Sequence, residues 1–385
     1  MNKITTEKIP ILSWANELEG GALTQAKNLA NLPFAKKHIA LMPDCHQGYG
    51  MPIGGVLATE NVIIPNAVGV DIGCGMCAVK TSLKEIDTET LKKIMGEIRK
   101  VIPLGFNKHK QEQDENLMPE DNYWLDTATV VHKEFDNALK SIGTLGGGNH
   151  FIEVQKGNDD YIWIMIHSGS RNLGKQVADY YNKLAIQLNE KWHSVVPKEW
   201  ELAFLPVDSQ EGQGYIKEMN YCIDFALANR KLMIDRIKEV MEGLGEVGFN
   251  TIINIAHNYA SLENHLGKNL WIHRKGATLA TEDTIGIIPG SQGTSSYIVK
   301  GKGNPASFNS CSHGAGRKMG RKQAQKELNY EEEIKKMGNV IHGMRSVKDL
   351  DEAPGSYKDI SEVMKNQEDL VSILVELKPL AVIKG

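Results

Sequence analysis

The chain has 385 residues, 41% of them hydrophobic, enough apolar material for a sizeable core. Its 44 Lys and Arg stand against 48 Asp and Glu, a formal charge of -4, which excludes a uniformly basic coat and leaves only local basic clefts for a polyanion. The first residues lack the apolar centre of a signal peptide, and no stretch approaches the roughly 20 apolar residues of a bilayer span. The five cysteines form no disulfide framework and suit a reducing compartment. The expectation is a cytoplasmic protein that does not enter membranes.

In chain order, the first marked phrase is Met42-Pro43-Asp44-Cys45-His46-Gln47-Gly48, opening a glycine-rich zone that runs to Gly55. The apolar run Val68-Gly69-Val70 leads into Asp71-Ile72-Gly73-Cys74-Gly75. A short helix is predicted over 88–100, a polar acidic loop over 111–121 and a further helix over 125–139. Gly143 to Gly148 then precede Asn149 and His150. The run 161–166 reads as a buried strand ending at His167, and 251–256 as a second one ending at His257. Helices are predicted over 176–192 and 215–241, the latter the longest, each with an apolar face. The stretch 371–382 reads as strand, with Pro379 marking an edge or a bend. No linker, repeat or low-complexity tract interrupts the chain, so one interwoven α+β domain spanning 1–385 is expected.

Asp71 and Cys74, three residues apart among glycines, offer oxygen and sulfur to one ion, and thiolate can bridge two. His150, His167 and His257 add imidazole nitrogen. This mixed set suits zinc, cobalt, iron or manganese better than magnesium, which prefers oxygen. Cys77 has the spacing of half a zinc site, but no second Cys pair exists, and packing is its expected role. Asn149 and Asn258 adjoin histidines and are placed to contact a metal, a phosphate or a ligand ring. Asp44 or His46 is expected to support a catalytic group.

Pro289-Gly290-Ser291-Gln292-Gly293-Thr294-Ser295-Ser296 lacks the Gly-Lys-Ser/Thr ending of a P-loop, yet its amides and hydroxyls suit phosphate oxygens. Downstream, His313-Gly314-Ala315-Gly316-Arg317 adds a nucleophile, base or ligand and a phosphate-binding cation. His273-Arg274-Lys275 and Arg317-Lys318 are candidate contacts to RNA phosphates, whereas Arg321 and Lys322 read as solvated surface. The apolar C-terminus is expected to dock into the fold and carry Lys384 toward the pocket.

The ordered set Asp71-Ile72-Gly73-Cys74-Gly75, Gly148-Asn149-His150-Phe151, His167-Ser168-Gly169-Ser170-Arg171, Ala256-His257-Asn258, His273-Arg274-Lys275-Gly276-Ala277 and His313-Gly314-Ala315-Gly316-Arg317 resembles the RtcB family. These are GTP-dependent RNA ligases that join a 3′-phosphate or 2′,3′-cyclic-phosphate end to a 5′-hydroxyl end. The resemblance runs from Met42-Pro43-Asp44 to Ile383-Lys384-Gly385. It implies an RtcB-like α+β fold, with central, mostly antiparallel β-sheets surrounded by helices.

The resemblance further implies two Mn²⁺ ions bridged by Cys74, with Asp71 and His150 completing one site and His167 and His257 the other. His313 would be the nucleotidylated residue and Asp44 its orienting partner. The implied GTP pocket comprises Asn149, His150, Phe151, Ile152, Glu153, His257, Asn258, Pro289, Gly290, Ser291, Gln292, Ser296, His313, Gly314, Ala315, Gly316, Tyr357 and Lys384, with Glu153 and Lys384 reading guanine. The implied partners are the two RNA ends and an archease-like activating protein. Gln292 stands where a methionine is frequent, and Cys45 and Gly73 also depart from better-known members; these differences bear on the RNA substrate. Two other classes remain: a metal-dependent phosphoesterase acting on RNA ends, and a noncatalytic RNA-end binding protein.

Overall fold

The run Ile162–Ser168 is buried at every position, and it organises the centre of the molecule. A continuous apolar strand needs cover on both faces, because successive side chains point opposite ways. Ile162, Ile164 and Ile166 pack with Met233, Ile234 and Ile237 of the long helix Gln210–Glu242. Trp163 and Met165 pack with Ile287 and Ile298 on the other side. The strand lies within a seven-stranded antiparallel sheet, in the order Ile253–Ala256, Gly75–Lys80, Ile162–Ser168, Phe151–Gly157, Val371–Lys384, Ser296–Gly301 and Ile285–Ile288.

A second sheet has six strands, ordered Asn2–Ile4, Ile11–Ser13, Ala35–His46, Ile53–Thr59, Lys268–Lys275 and Asn258–His265. Its pairs are antiparallel except that of Ile11–Ser13 with Ala35–His46. The chain passes from one sheet to the other at His257, between the strands Ile253–Ala256 and Asn258–His265. The computed structural model describes residues 1–123, 125–126, 129–250, 252–265 and 267–385. It is a mixed α+β architecture in which mostly antiparallel central sheets are surrounded by helices, as expected.

Ser209 caps the long helix by accepting the Gly212 N–H. Tyr215, Met219, Cys222, Phe225, Ala226, Asn229, Arg230, Met233, Ile234, Ile237 and Met241 form its buried stripe, the three-and-four spacing of an amphipathic helix. The observed helices Leu173–Lys191 and Thr88–Val101 match the sequence expectation closely. The segment expected as one helix over 125–139 contains two short ones, Val130–Lys133 and Phe135–Leu139, and its Thr127 and Ala128 lie outside the described residues, as does Thr251 of the expected strand. The 111–121 loop holds only a single 3₁₀ turn, Glu115–Leu117. Pro379 marks both a bend and a local edge: the pairing with Ser296–Gly301 ends at Leu377, and on the other side the register shifts between Pro379 and Ala381. Cys77 is buried in the core.

Two polar residues on the buried stripe tie the helix to the loops at one end of the seven-stranded sheet. Asn229 Oδ1 accepts from the Gly143 and Thr144 N–H groups, and its Nδ2 donates to the carbonyls of Thr144 and Gly169. Arg230 Nη1 donates to the carbonyls of Gly73 (2.9 Å) and Ser168 (2.8 Å), and Nε to Asn254 Oδ1 (2.8 Å). Replacing Arg230 with Met leaves these buried acceptors without donors, and is expected to destabilise the protein by about 3 kcal/mol. The check is a lower urea midpoint at unchanged denaturant slope.

Candidate active site

Four separate segments converge where Arg230 and Asn229 anchor the sheet end. The Cys74 N–H donates to the Asp71 carbonyl, closing a tight turn. Gly73 makes that turn possible: its φ is 75°, and a Cβ there would sit 2.9 Å from the Cα of Ile223 on the long helix. The Cys74 carbonyl in turn accepts from the His257 N–H at 2.8 Å. His150 immediately precedes the strand Phe151–Gly157, and His167 lies one residue before the end of Ile162–Ser168.

Cys74 Sγ lies 3.5 Å from His150 Nε2 and 3.4 Å from His167 Nε2. His167 Nδ1 lies 3.1 Å from the Asn149 carbonyl, a bond that fixes which nitrogen faces the thiol. The three donor atoms of Cys74, His150 and His167 all fall within 4.8 Å of one another, and all three residues are buried. Asp71 Oδ2 adjoins the cluster, 3.3 Å from His150 Nε2. The His257 ring centre is 5.2 Å from that of His167. One three-donor cluster is thus assembled among the described residues, with Asp71 and His257 beside it.

Burial pushes the Cys74 thiol well above its ordinary range and holds the His167 and His257 imidazoles well below theirs. Burial also pushes the Asp71 carboxyl up, but the His150 hydrogen bond and charge outweigh it and bring it down to about 2. Neutral imidazoles beside an anionic carboxylate and a thiol that ionises on metal binding fit a divalent cation.

Asp44, in the strand Ala35–His46, is fully buried. Its Oδ2 accepts the N–H groups of His313 (3.2 Å) and Gly314 (3.3 Å), and lies 2.6 Å from His313 Nδ1. Burial raises this carboxyl, yet the adjoining His313 outweighs it and leaves the group below its ordinary value. Gly316, at φ 73°, lets the backbone pass against the Asp44 main chain, where a Cβ would collide. The ring centres of His257 and His313 are 4.8 Å apart. His150, His167, His257 and His313 therefore form one row of rings. His46 adds a contact to the Asp44 carbonyl through Nδ1.

The remaining expected pocket residues surround this row in a bonded frame. Asn258 accepts from the Gly276 N–H and donates to the Asp71 carbonyl, so it links two loops. Phe151 pairs with His167 across the sheet, Ile152 is fully buried, and Lys384 pairs with Phe151. Ser296 Oγ accepts from the Gly290 N–H and from Gln155 Nε2, while Ser291 bonds Thr294. Pro289 packs beside Gly314, and Ala315 is buried. Tyr357 donates to Glu352 at 2.5 Å, and Gln292 Nε2 donates to the Glu352 carbonyl. Asn149 is exposed at the rim.

The structure revises the basic candidates. Arg274 is fully buried, paired with Glu263 and donating to Ser310 and the Phe308 carbonyl, and His273 is fully buried too. Neither is free to meet RNA, because each already satisfies interior groups. Lys275 is also buried, with Nζ donating to the Tyr49 and Asn66 carbonyls, and burial brings it down to about 8. Arg321 is exposed, as expected, and from the surface it reaches toward Glu352 and lies against Gly148. Glu352, Gln155, Asn229 and Arg230 escaped the sequence reading. An Asn-Arg pair on the apolar stripe of a helix was the one signal that pointed to two of them.

Glu153 is almost fully buried, and its Oε2 accepts from Gln155 Nε2 at 2.6 Å. Burial raises its carboxyl from 4.5 to about 8, against the pull of Lys384. The folded state then holds a proton that the unfolded chain releases. This contribution to stability is fully present below about 4.5 and is lost as pH rises through about 8. Glu153→Gln should therefore show a shallower fall in stability across that window than the parent, measured by urea unfolding at a series of pH values.

Residues 25–385 match the family model described as tRNA-splicing ligase RtcB. The chain is 36% identical over 405 residues to the RNA-splicing ligase RtcB of Escherichia coli (strain K12), covering 99% of each protein. It is 34% identical to the tRNA-splicing ligase RtcB of Nanoarchaeum equitans, over 95% of this chain and 92% of that protein. It is also 34% identical to the RNA-splicing ligase RtcB homolog 1 of Entamoeba dispar, over 94% of this chain and 81% of that protein. With the match covering nearly the whole chain, this protein belongs to the RtcB family and is a ligase by that membership.

Proposed function

We propose that this chain, as one domain spanning 1–385, joins an RNA 3′-phosphate or 2′,3′-cyclic-phosphate end to a 5′-hydroxyl end, consuming GTP. The observation that carries this reading is the row of histidine rings from the Cys74 cluster to an Asp44-held His313. In a metal-dependent phosphoesterase water would be the nucleophile and a histidine so held would move a proton, so a covalent guanylyl adduct on His313 separates the two readings.

Asp44 lies against His313 Nδ1, which leaves Nε2 as the attacking atom. Nε2 bonds the α-phosphorus of GTP, and pyrophosphate leaves with the electrons of the broken P–O bond. The ring becomes cationic, and the Asp44 carboxylate stabilises that charge. An oxygen of the RNA 3′-phosphate then takes the guanylyl group and frees His313. The 5′-hydroxyl oxygen attacks the activated RNA phosphate, loses its proton, and GMP departs. A cyclic phosphate is opened by water before this sequence begins. Asp71, Cys74, His150, His167 and His257 would hold two Mn²⁺ ions, which would supply positive charge beside the reacting phosphates.

Pro289 to Gln292 and Ser296 offer amides and hydroxyls to phosphate oxygens. Glu153, on releasing its proton, accepts from guanine N1–H and N2–H₂, and Lys384 donates to the guanine oxygen. The physiological RNA ends meet the cations at the rim, and an archease-like protein is the proposed activator.

Incubation with α-labelled GTP and Mn²⁺ should yield an acid-labile protein adduct in the parent and none in a folded His313→Ala variant. Asp44→Asn should slow adduct formation about a hundredfold or more. RNA halves bearing 3′-phosphate and 5′-hydroxyl ends should be joined; efficient joining only of 3′-hydroxyl and 5′-phosphate ends would sink the proposal.

Metal content provides a separate check. Cys74→Ala should lose most of the bound Mn²⁺ by elemental analysis of the purified protein, because a bridging donor serves both ions. Undiminished occupancy in the variant removes the bridging assignment.

A further inference from the structure

One buried carboxylate that no motif marked stands at the junction of the pocket. Glu352 is 7% exposed. Its Oε2 accepts from Lys384 Nζ at 3.0 Å and from the Tyr357 hydroxyl at 2.5 Å. Its Oε1 accepts from Arg317 Nη1 at 3.1 Å, and its backbone carbonyl accepts from Gln292 Nε2 at 2.8 Å. Three residues already singled out in the sequence thus converge on one side chain, and a fourth on its backbone.

The carboxylate is fixed from both directions. It ends the 3₁₀ turn Val347–Glu352, which Ser346 opens with reciprocal bonds to Asp349. Ala353 and Pro354 follow it into a second 3₁₀ turn. A side chain held at its backbone and bonded through both oxygens has little rotational freedom left, so it can serve as a reference point for longer, looser partners. Lys and Arg are such partners, with several rotatable bonds each.

The position of Lys384 explains why a reference point is needed. Val382 lies directly opposite Glu153 across the paired strands. Lys384, two residues on, shares that face of the sheet, so it is a diagonal neighbour of Glu153 within reach of a long side chain. Among the described residues, however, its ion pair is with Glu352, while Glu153 is bonded by Gln155. A lysine resting on Glu153 would cover the acceptors that guanine N1–H and N2–H₂ require.

We infer that Glu352 is a positioning residue for nucleotide selection: it draws Lys384 aside from Glu153 and keeps the two base-reading groups apart. The inference rests on the guanine pocket of the preceding section. An ammonium has three donors, so Lys384 bonded to Glu352 still has hydrogens for the guanine oxygen. Arg317 is held by the other oxygen of the same carboxylate. Glu352 touches neither the base nor the phosphates in this scheme; it acts on nucleotide selection through Lys384.

The test uses the Mn²⁺-loaded full chain and follows initial adduct formation with labelled GTP and ATP. Glu352→Gln keeps the shape and removes the charge. It should raise KM for GTP about tenfold, shrink the preference for GTP over ATP, and leave Mn²⁺ content unchanged. In a Lys384→Met background the same change should have little further effect on KM, since the residue through which it acts is gone. A general loss of packing would instead add fully in both backgrounds, and that outcome overturns the inference. So does an unaltered KM and nucleotide preference in Glu352→Gln. Should that variant not fold, Glu352→Asp, which withdraws the charge by one methylene, is read against the same two backgrounds. A parent that forms no adduct and binds no GTP by calorimetry overturns the guanine pocket itself and this inference with it. A parent that binds GTP while the variants behave alike overturns the inference alone.

Discussion

The adjoining side chains Asn229 and Arg230 supply hydrogen-bond partners to the loops that carry the candidate chemistry. Buried backbone carbonyls and amides must find partners. Asn229 serves the Gly143–Thr144 turn and the end of the strand bearing His167. Arg230 joins that strand end to the turn bearing Cys74. The result is that distances between ligands from remote parts of the chain depend on one helix face. Arg230 is fully buried, and burial disfavours its charge while Cys77, Cys74 and Asp71 work the other way. An apolar helix surface would fit the core equally well, but it would leave the turns free to choose other conformations.

The regular elements were legible where one physical signal dominated. The 162–168 strand is apolar at nearly every position because it is covered on both faces, and the 210–242 helix announces itself by its stripe. The site's ingredients were legible because Asp, Cys and His among glycines are costly to place without a purpose. The partnerships were less so. Arg274 sits between His273 and Lys275 in a run that reads as basic surface, yet both faces of the strand are covered there and Arg274 pairs with Glu263. That double cover was visible only once the strand's neighbours were known. Glu352 is one acid among 48 Asp and Glu, and its importance comes entirely from long-range closure. The same holds for the passage of the chain between two sheets at His257, since an apolar run followed by His-Asn does not say which strands will flank it.

The rim of the pocket has a charge balance that the overall net charge of -4 conceals. Arg317, Arg321 and Lys384 gather around Glu352, with Asp351 close to Arg321. Cations already paired are ordered before a phosphate arrives, which lowers the entropy lost on binding, but an incoming anion must compete for them. Local pairing of this kind suits recognition of a few phosphates at a strand end better than adhesion along a polyanion. It also reconciles an acidic protein with a substrate that is itself strongly negative.

The strand Val371–Lys384 lies inside the seven-stranded sheet, between Phe151–Gly157 and Ser296–Gly301. A ribosome releases these residues after every other strand of that sheet has emerged. Until then the sheet exists as two unjoined parts, each presenting an unpaired edge that can capture another chain. The seven-stranded sheet cannot close from its earlier strands alone; it must wait for this strand to be inserted. Because the same strand carries Lys384 to Glu352, the seam of the sheet and that ion pair form together. Closure of the sheet and the seating of Lys384 are therefore a single event in the life of the nascent protein.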